Sequence, residues 1–414
     1  MAELPVSVLE VQLYGRTIGT LTNVGGDRTL FAFTQEYIDE QNRPTLSLSF
    51  KDAFGHLIED FPTTQRRLPA FFANLLPEGH LREYLAARAG VKAGREFFLL
   101  WVLGQDLPGA LTVRPADGEA WPPGLDEDSP AERRRRHSNA LRFSLAGVQL
   151  KFSALRNAGK GGGLTVPAEG VGGSWIVKLP SSRFEGVPEN EFAMMTLARL
   201  TGIDVPEFAL VELDAIEGLP EGLGVLKGHR AFAVKRFDRS ETGPVHIEDF
   251  AQVFGVYPED KYEKATYRHI AKVLGIETDE TDVAEFIRRL VFNTLIGNAD
   301  MHLKNWSLIY RDGRTPSLAP AYDFVSTIAY IPDENAALKY IRTRRFDKFD
   351  LSELSNLAAK ARLPERPVLQ TAREAVELFH GAWKSERAHL PVPRELRALI
   401  DEHLTRLPIV RELA

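Results

Sequence analysis

The chain has 414 residues, 44% hydrophobic and 26% charged, a balance typical of soluble globular proteins and enough length for two or three domains. With 51 basic against 57 acidic residues the net charge is −6, which argues against a protein that coats a polyanion. The absence of cysteine excludes disulfide scaffolds, thiolate zinc sites, iron–sulfur ligation and a thiol nucleophile together, and it fits a cytoplasmic location. Met1–Pro5 lacks the basic-then-apolar order of a secretory signal. The longest compact apolar run, Phe97–Leu103, is far short of the ~20 residues that span a bilayer, so no membrane contact is expected.

Residues 1–115 read as a small β-rich subdomain. Val6–Leu13 alternates apolar and polar positions, Tyr14-Gly15-Arg16 turns, and Ile18–Leu21 returns, a hairpin signature. Thr29–Phe33 and Thr45–Phe50 are expected to extend that sheet. Helices follow at Ala70–Leu76, before Pro77, and at Glu78–Ala89, closed by Gly90. Residues 116–139 lose apolar periodicity: Trp121–Gly124, the acidic Asp126–Asp128 and the block Arg133–Arg136 mark a linker whose arginines read as a solvated charge run. Residues 140–240 form a second β-rich unit, with strands at Leu141–Leu145, Leu150–Leu155, Trp175–Leu179, Phe208–Leu213 and Ala231–Phe237 around one helix near Glu189–Leu200. Residues 241–414 turn helical, with candidates at Ile247–Phe254, Lys261–Val273 and Val283–Ile296 and further helices from 351 onward. A short hairpin, Trp306–Tyr310 with Ser317–Ala319, interrupts them. A β-rich lobe, a hinge near 237–241 and a helical lobe predict a ligand cleft between the two.

The chemistry-bearing residues fall on that cleft. In Asn298–Asn305, Asp300 and Asn305 stand five apart, the spacing of the catalytic-loop Asp and Asn of protein-kinase-type phosphotransferases, where the carboxylate takes the acceptor proton and the amide oxygen holds a metal. Alone, Asp-x4-Asn carries little weight and more often marks an Asx turn capping a helix. Twenty-three residues after Asp300 comes Tyr322-Asp323-Phe324, which matches the metal-binding Asp of a kinase DFG segment except that Val325 replaces glycine. Upstream, Trp175-Ile-Val-Lys178 resembles the strand that places a lysine on the nucleotide phosphates. Glu191, thirteen residues later, heads the apolar stripe Met194, Leu197 and Ala198, so an inward carboxylate there needs a cation, and Lys178 is the candidate. Glu189 could fill that role instead. Two stretches compete for the phosphate lid, Ser144–Lys151 and the glycine-dense Gly159–Gly163, the latter read as a hairpin tip.

Together these residues resemble the HipA-type toxin serine/threonine kinases of bacterial toxin–antitoxin pairs. Phe143–Lys151 (FSLAGVQLK) resembles the family's phosphate-binding loop and Trp175–Pro180 (WIVKLP) its ATP-lysine strand. Asn190-Glu191, Ala233–Arg239 (AVKRFDR), Asp300–Asn305 (DMHLKN) and Tyr322-Asp323 fit as well. Gly19–Thr22, Leu46–Ser49 and Asn74–Pro77 are like the β-rich subdomain that precedes the family's kinase unit. The resemblance implies an α+β, two-lobed protein-kinase-like fold, with a β-rich N-lobe and an all-helical C-lobe, behind a small N-terminal subdomain. It implies ATP- and Mg2+-dependent phosphorylation of a protein serine, with an aminoacyl-tRNA synthetase as candidate target, and a helix-turn-helix antitoxin of HipB type that contacts DNA on the kinase's behalf.

Carried over residue by residue, Ser144, Ala146, Gly147, Val148, Gln149 and Lys151 belong to the phosphate loop. Lys178 and Glu191 hold the nucleotide, Val234, Lys235 and Phe237 line the adenine side, and Asn305 and Asp323 bind the metal. Asp300 acts on the acceptor, His302 lies on the nucleotide side, and Lys304 is expected at the γ-phosphate. Ser144 corresponds to the family's autophosphorylated serine, where roughly −1.5 to −2 added charge would repel a triphosphate. Two departures stand out: Lys235 occupies an interlobe position where an acidic residue is expected, and Leu150 replaces a polar loop residue. The rival readings are a small-molecule kinase of the aminoglycoside or choline type, and an inactive kinase-fold corepressor bound to a DNA-binding partner.

Overall fold

The computed structural model describes residues 7–25, 27–65, 67–116, 151–156, 164–166, 172–219, 223, 225–331 and 334–413. Its first sheet is built on a tight hairpin. Strand β1 (Ser7–Leu13) returns as β2 (Arg16–Asn23) across Tyr14 and Gly15, both at positive φ, the backbone that matches a two-residue hairpin turn to strand twist. β3 (Arg28–Phe33), β4 (Thr64–Gln65) and β5 (Leu111–Pro115) complete an antiparallel sheet in the order β4-β3-β2-β1-β5. Leu9, Val11 and Leu13 alternate inward toward four helices: α1 (Gln35–Asp39), α2 (Ala70–Ala73), α3 (Gly79–Ala89) and α4 (Glu96–Leu103). Every residue of α4 is buried, as its unbroken apolar run requires. Thr45–Phe50 does not extend the sheet. Ser47 instead caps a 3-10 turn at Leu48–Phe50 by accepting from the Ser49 amide, and the Thr45 amide donates to Gly313 of the helical lobe.

The second sheet contains β6 (Lys151–Arg156), β7 (Leu164–Thr165), β8 (Trp175–Lys178), β9 (Phe208–Glu212), β10 (Ile216–Glu217) and β11 (Arg230–Lys235), in the order β10-β7-β6-β8-β11-β9. It is covered on both faces. Phe232 and Val234 of β11 join the core formed with α5 (Val187–Leu200) and the helical lobe, whereas Ala231 and Ala233, with Phe152, Ala154, Trp175 and Val177, join the core of the N-terminal subdomain. A period of two divides one strand between two cores. The N-terminal subdomain is therefore packed on the back of the kinase-like sheet.

The helical lobe starts after a small ribbon, β12 (Arg239–Ser240) with β13 (Gly243–Pro244), and carries a three-stranded sheet of its own: β14 (His246–Asp249), β15 (Ser307–Tyr310) and β16 (Ser317–Leu318). The segment expected to be a helix over Ile247–Phe254 is thus half strand. Asp249 ends β14 and opens the one-turn α6 (Phe250–Val253) with a capping box to Gln252. The remaining helices are α7 (Tyr267–Glu277), α8 (Glu280–Leu295), α9 (Leu351–Ala361), α10 (Glu365–Glu386), α11 (Arg394–Arg406) and α12 (Pro408–Leu413). Among the described residues no helix is long and apolar enough to cross a membrane.

Candidate active site

A cleft of about 430 Å3 lies between the second sheet and the helical lobe, within the range of small-molecule sites. On β8 the alternation that turns Trp175 and Val177 toward the N-terminal subdomain turns Ile176 and Lys178 the other way. Helix α5 starts after Gly186 in the left-handed region, with Pro188 in its first turn, and this phase buries Asn190 and Glu191. The Lys178 ammonium meets Glu191 at 2.5 Å and also pairs with Asp323. Glu189, the competing carboxylate, pairs with Arg230 at 3.0 Å, so the ion pair within the cleft belongs to Glu191. Burial works against the Lys178 charge, but Asp323 and Glu191 outweigh it and hold its pKa above the ordinary lysine value. Burial likewise raises the Glu191 carboxyl, whereas for Asp323 Lys178 and Lys151 overcome burial and keep the carboxyl low. Lys151 lies directly across the β6–β8 pair from Lys178 and lines the same cleft. Burial pulls its pKa down to about 8, with Asp323 opposing and Lys178 adding to the fall.

Asp323 itself has φ of +58°, a left-handed backbone that costs a non-glycine residue energy and is held only where its surroundings dictate it. Two contacts do so. Phe324 is fully buried against Phe292, and Asn190 grips the following segment with both ends of its amide, donating to Ser326 O at 2.9 Å and accepting from Ser326 N at 3.0 Å. The role of Asn190 is thus to tie the Asp323 segment to α5, the same helix that presents Glu191 to Lys178.

The loop 298–305 leaves α8 through Gly297 at φ +64°, where a Cβ would strike the Ile328 side chain at 2.5 Å. Asn298 makes the Asx turn, accepting from Asp300 N at 3.0 Å while its own amide nitrogen is fixed by Asn293 at 2.8 Å. The Asx turn of this loop is thus made by Asn298 and not by the Asp300/Asn305 pair, and Asp300 beyond it lines the cleft. Asp300 is exposed toward the cleft; desolvation by the surrounding protein raises its pKa, and the Tyr262 hydroxyl donates to it and lowers it. Asn305 donates from Nδ2 to Asp300 O at 2.8 Å, which leaves its amide oxygen as the atom for a cation.

His302 packs edge-on against Tyr262 at 4.9 Å, and burial beside Lys261 lowers its pKa to about 3, so its imidazole is neutral near pH 7 and brings no positive charge to a phosphate. Lys304 enters the cleft, but its ammonium is held by Asn74 O at 2.9 Å and Glu78 at 2.8 Å, both from the N-terminal subdomain.

At the lobe junction Val234 is buried, the Lys235 side chain is exposed, and the half-buried Phe237 ring lies 5.8 Å from Tyr322. The amides of Lys235 and Arg236 donate to Glu207 O and Ser174 O, both at 2.8 Å. Those donors are committed to neighbouring main chain and are not offered to a base. Arg236, Asp238 and Arg239 are engaged in a buried network with Asp106 of the N-terminal subdomain, at 2.9–3.0 Å. The expected hinge is thus bolted to that subdomain. Ser144, Ala146, Gly147, Val148 and Gln149 lie outside the described residues, as does the competing Gly159–Gly163 stretch.

The donor set suits a hard divalent cation of the Mg2+ kind. Among the described residues there is no cluster of three or more His, Asp or Glu side chains placed to hold a metal alone, but Mg2+ takes one or two protein oxygens and completes its shell with substrate phosphates and water. Asp323 and Asn305 both line the cleft and carry oxygens that could supply such a pair.

The chain is similar to known proteins over nearly its whole length. Residues 9–114 match the HipA N-terminal domain family, and residues 143–383 match the HipA-like C-terminal domain family. Y4dM of Sinorhizobium fredii, a protein carrying a provisional kinase name, is 60% identical over 410 residues, covering 99% of both chains. The serine/threonine-protein kinase toxin HipA of Shewanella oneidensis is 27% identical over 375 residues, or 80% of this chain and 77% of that one. In fold, the chain superposes on a structure from the HipA, HipB and operator DNA complex of the same bacterium with a TM-score of 0.71 at 21% identity, covering 98% and 99% of the two chains. The protein belongs to the HipA-like kinase family.

Proposed function

We propose that this protein is an ATP-dependent serine/threonine-protein kinase that acts as the growth-arresting toxin of a toxin–antitoxin pair. The observation that carries the reading is the convergence of Lys178, Glu191, Asp300, Asn305 and Asp323, drawn from both lobes, on one cleft. Phosphoryl transfer asks little covalent chemistry of a protein and much positioning, and this set supplies the parts. Lys178, braced by Glu191, orients nucleotide phosphates. Asp323 and Asn305 would hold Mg2+, which neutralises charge on the transferring phosphoryl group when bound. Asp300 orients the acceptor hydroxyl and takes its proton, a step that its raised pKa favours.

The target class is a protein serine, with a translation component such as an aminoacyl-tRNA synthetase as the candidate. Self-phosphorylation of Ser144 is the silencing step, and a HipB-type helix-turn-helix protein is the partner that brings the complex to DNA. Family membership supports these finer assignments, as does the fold shared with a chain crystallised beside HipB and operator DNA.

The test is phosphotransfer from labelled Mg·ATP in a cell lysate, wild type beside Asp300→Asn. A labelled protein band that falls by ~10²–10⁴ in the variant is expected, since that is the usual contribution of a positioned general base. Label in a metabolite would point to a small-molecule kinase, and near-wild-type turnover of Asp300→Asn would remove Asp300 from the mechanism.

A further inference from the structure

Glu78 stands immediately before α3, where a carboxylate ordinarily serves the helix's own free amides. It makes no side-chain cap there. Its carboxylate instead crosses to the helical lobe, with Oε2 accepting from Lys261 Nζ at 2.7 Å and Oε1 facing Lys304 Nζ at 2.8 Å. All three side chains are nearly shut off from solvent, and all three line the cleft that holds Asp300 and Asp323. Burial alone would raise the Glu78 carboxyl, yet the two ammoniums reverse this and hold its pKa down at about 2. The support behind it is rigid as well. Asn74, whose carbonyl takes the second contact of the Lys304 ammonium, is itself pinned by donating to Val256 O at 2.7 Å. Lys261 is followed by Tyr262, whose hydroxyl donates to Asp300, so the same brace reaches the expected base.

We propose that Glu78 is a positioning residue for phosphoryl transfer, the carboxylate by which the N-terminal subdomain fixes the Lys304 ammonium inside the cleft, so that the site is complete only when that subdomain is docked. The proposal rests on the kinase reading above and adds to it a third contributor beside the two lobes. A lysine on a four-carbon stem carries much rotamer freedom, and a charge that must meet a developing phosphoryl anion acts best when its position is set beforehand. Glu78 and the Asn74 carbonyl set it.

The experiment uses the full chain as wild type, Glu78→Gln, Glu78→Asp, Lys304→Met and the Glu78→Gln/Lys304→Met double variant. It reads kcat and KM for ATP, together with acylation of Lys304 by an amine-reactive reagent followed by mass spectrometry. Glu78→Gln is expected to lower kcat about 10- to 100-fold with little change in KM, as a misplaced catalytic group does. Glu78→Asp recovers part of the loss, Lys304 becomes several-fold more reactive, and the double variant is no slower than Lys304→Met. Additive losses in the double variant, or an unchanged kcat in Glu78→Gln beside an active wild type, overturn the positioning role alone. A wild type without any transferase activity overturns the kinase reading, and this inference with it.

Discussion

Two of the lysine sites in the cleft are held in different ways. Lys178 is fixed from within the kinase-like unit, by Glu191 of α5 and by Asp323. Lys304, with Lys261, is fixed from outside it, by Glu78 and Asn74 of the N-terminal subdomain. The first arrangement is self-contained, since the strand, the helix and the Asp323 segment all belong to one unit. The second makes one cleft wall depend on how a separate sheet is docked. The N-terminal subdomain therefore acts as part of the site's frame, through the face it buries on β8 and β11 and through the charges it sends across.

Breaking that docking is the sharpest way to probe the contrast. Arg236 is buried between Asp106 of the subdomain and Asp238 at the lobe junction. Removing one partner of a buried charge set typically costs ~3–5 kcal/mol, because the opposite charges stay buried. Arg236→Met should lower unfolding stability by about that amount, read by denaturant melts, and should loosen Lys304 more than Lys178. Equal loosening of both lysines, read by acylation, would mean that the two sites share one support.

A subtler probe lies where the subdomain meets β14. Glu248 is fully buried and accepts from Ser47 Oγ, from the Leu48 amide and from Tyr310, and burial raises its carboxyl to about 7 despite those bonds. A carboxyl whose folded pKa lies above its unfolded value, 4.5, contributes stability that is complete below 4.5 and is lost as pH rises through about 7. The difference in unfolding free energy between wild type and Glu248→Gln should therefore move by about 3 kcal/mol across that window, at ~1.36 kcal/mol per pKa unit, with the wild type losing ground as pH rises. A difference independent of pH would mean that Glu248 stays ionised throughout and plays no part in pH-dependent docking.

Much of this molecule is legible in its sequence, for local reasons. Alternation along Trp175–Lys178 puts Lys178 opposite the apolar positions, and the phase of α5 turns Glu191 inward, so a lysine–carboxylate pair follows from two short stretches. The family resemblance singles out Asn74–Pro77 but offers no partner for the next residue. Lys261 and Lys304 lie 183 and 226 residues from Glu78, and no periodicity reports a contact at that distance. The same limit explains two misread elements. Leu46, Leu48 and Phe50 alternate as a strand would, yet Ser47 caps a turn there, and the segment bonds to Gly313 and Glu248 instead of to a sheet neighbour. Ile247–Phe254 is apolar enough for a helix, but its first half pairs with Ser307–Tyr310, about 60 residues away, and only the Asp249 capping box reveals where a helical turn starts. Arg236, Asp238 and Arg239 were legible as a motif and not as a network, because Asp106 sits in a different subdomain.

Calorimetric titration of ATP, with and without Mg2+, into wild type, Asp300→Asn and Asp323→Asn asks most directly whether these side chains surround one metal-bound nucleotide. Mg2+-dependent binding should be the same in Asp300→Asn as in wild type and should be lost in Asp323→Asn. Undiminished Mg2+-dependent binding by Asp323→Asn, or no ATP binding by the wild type, would contradict a shared nucleotide site.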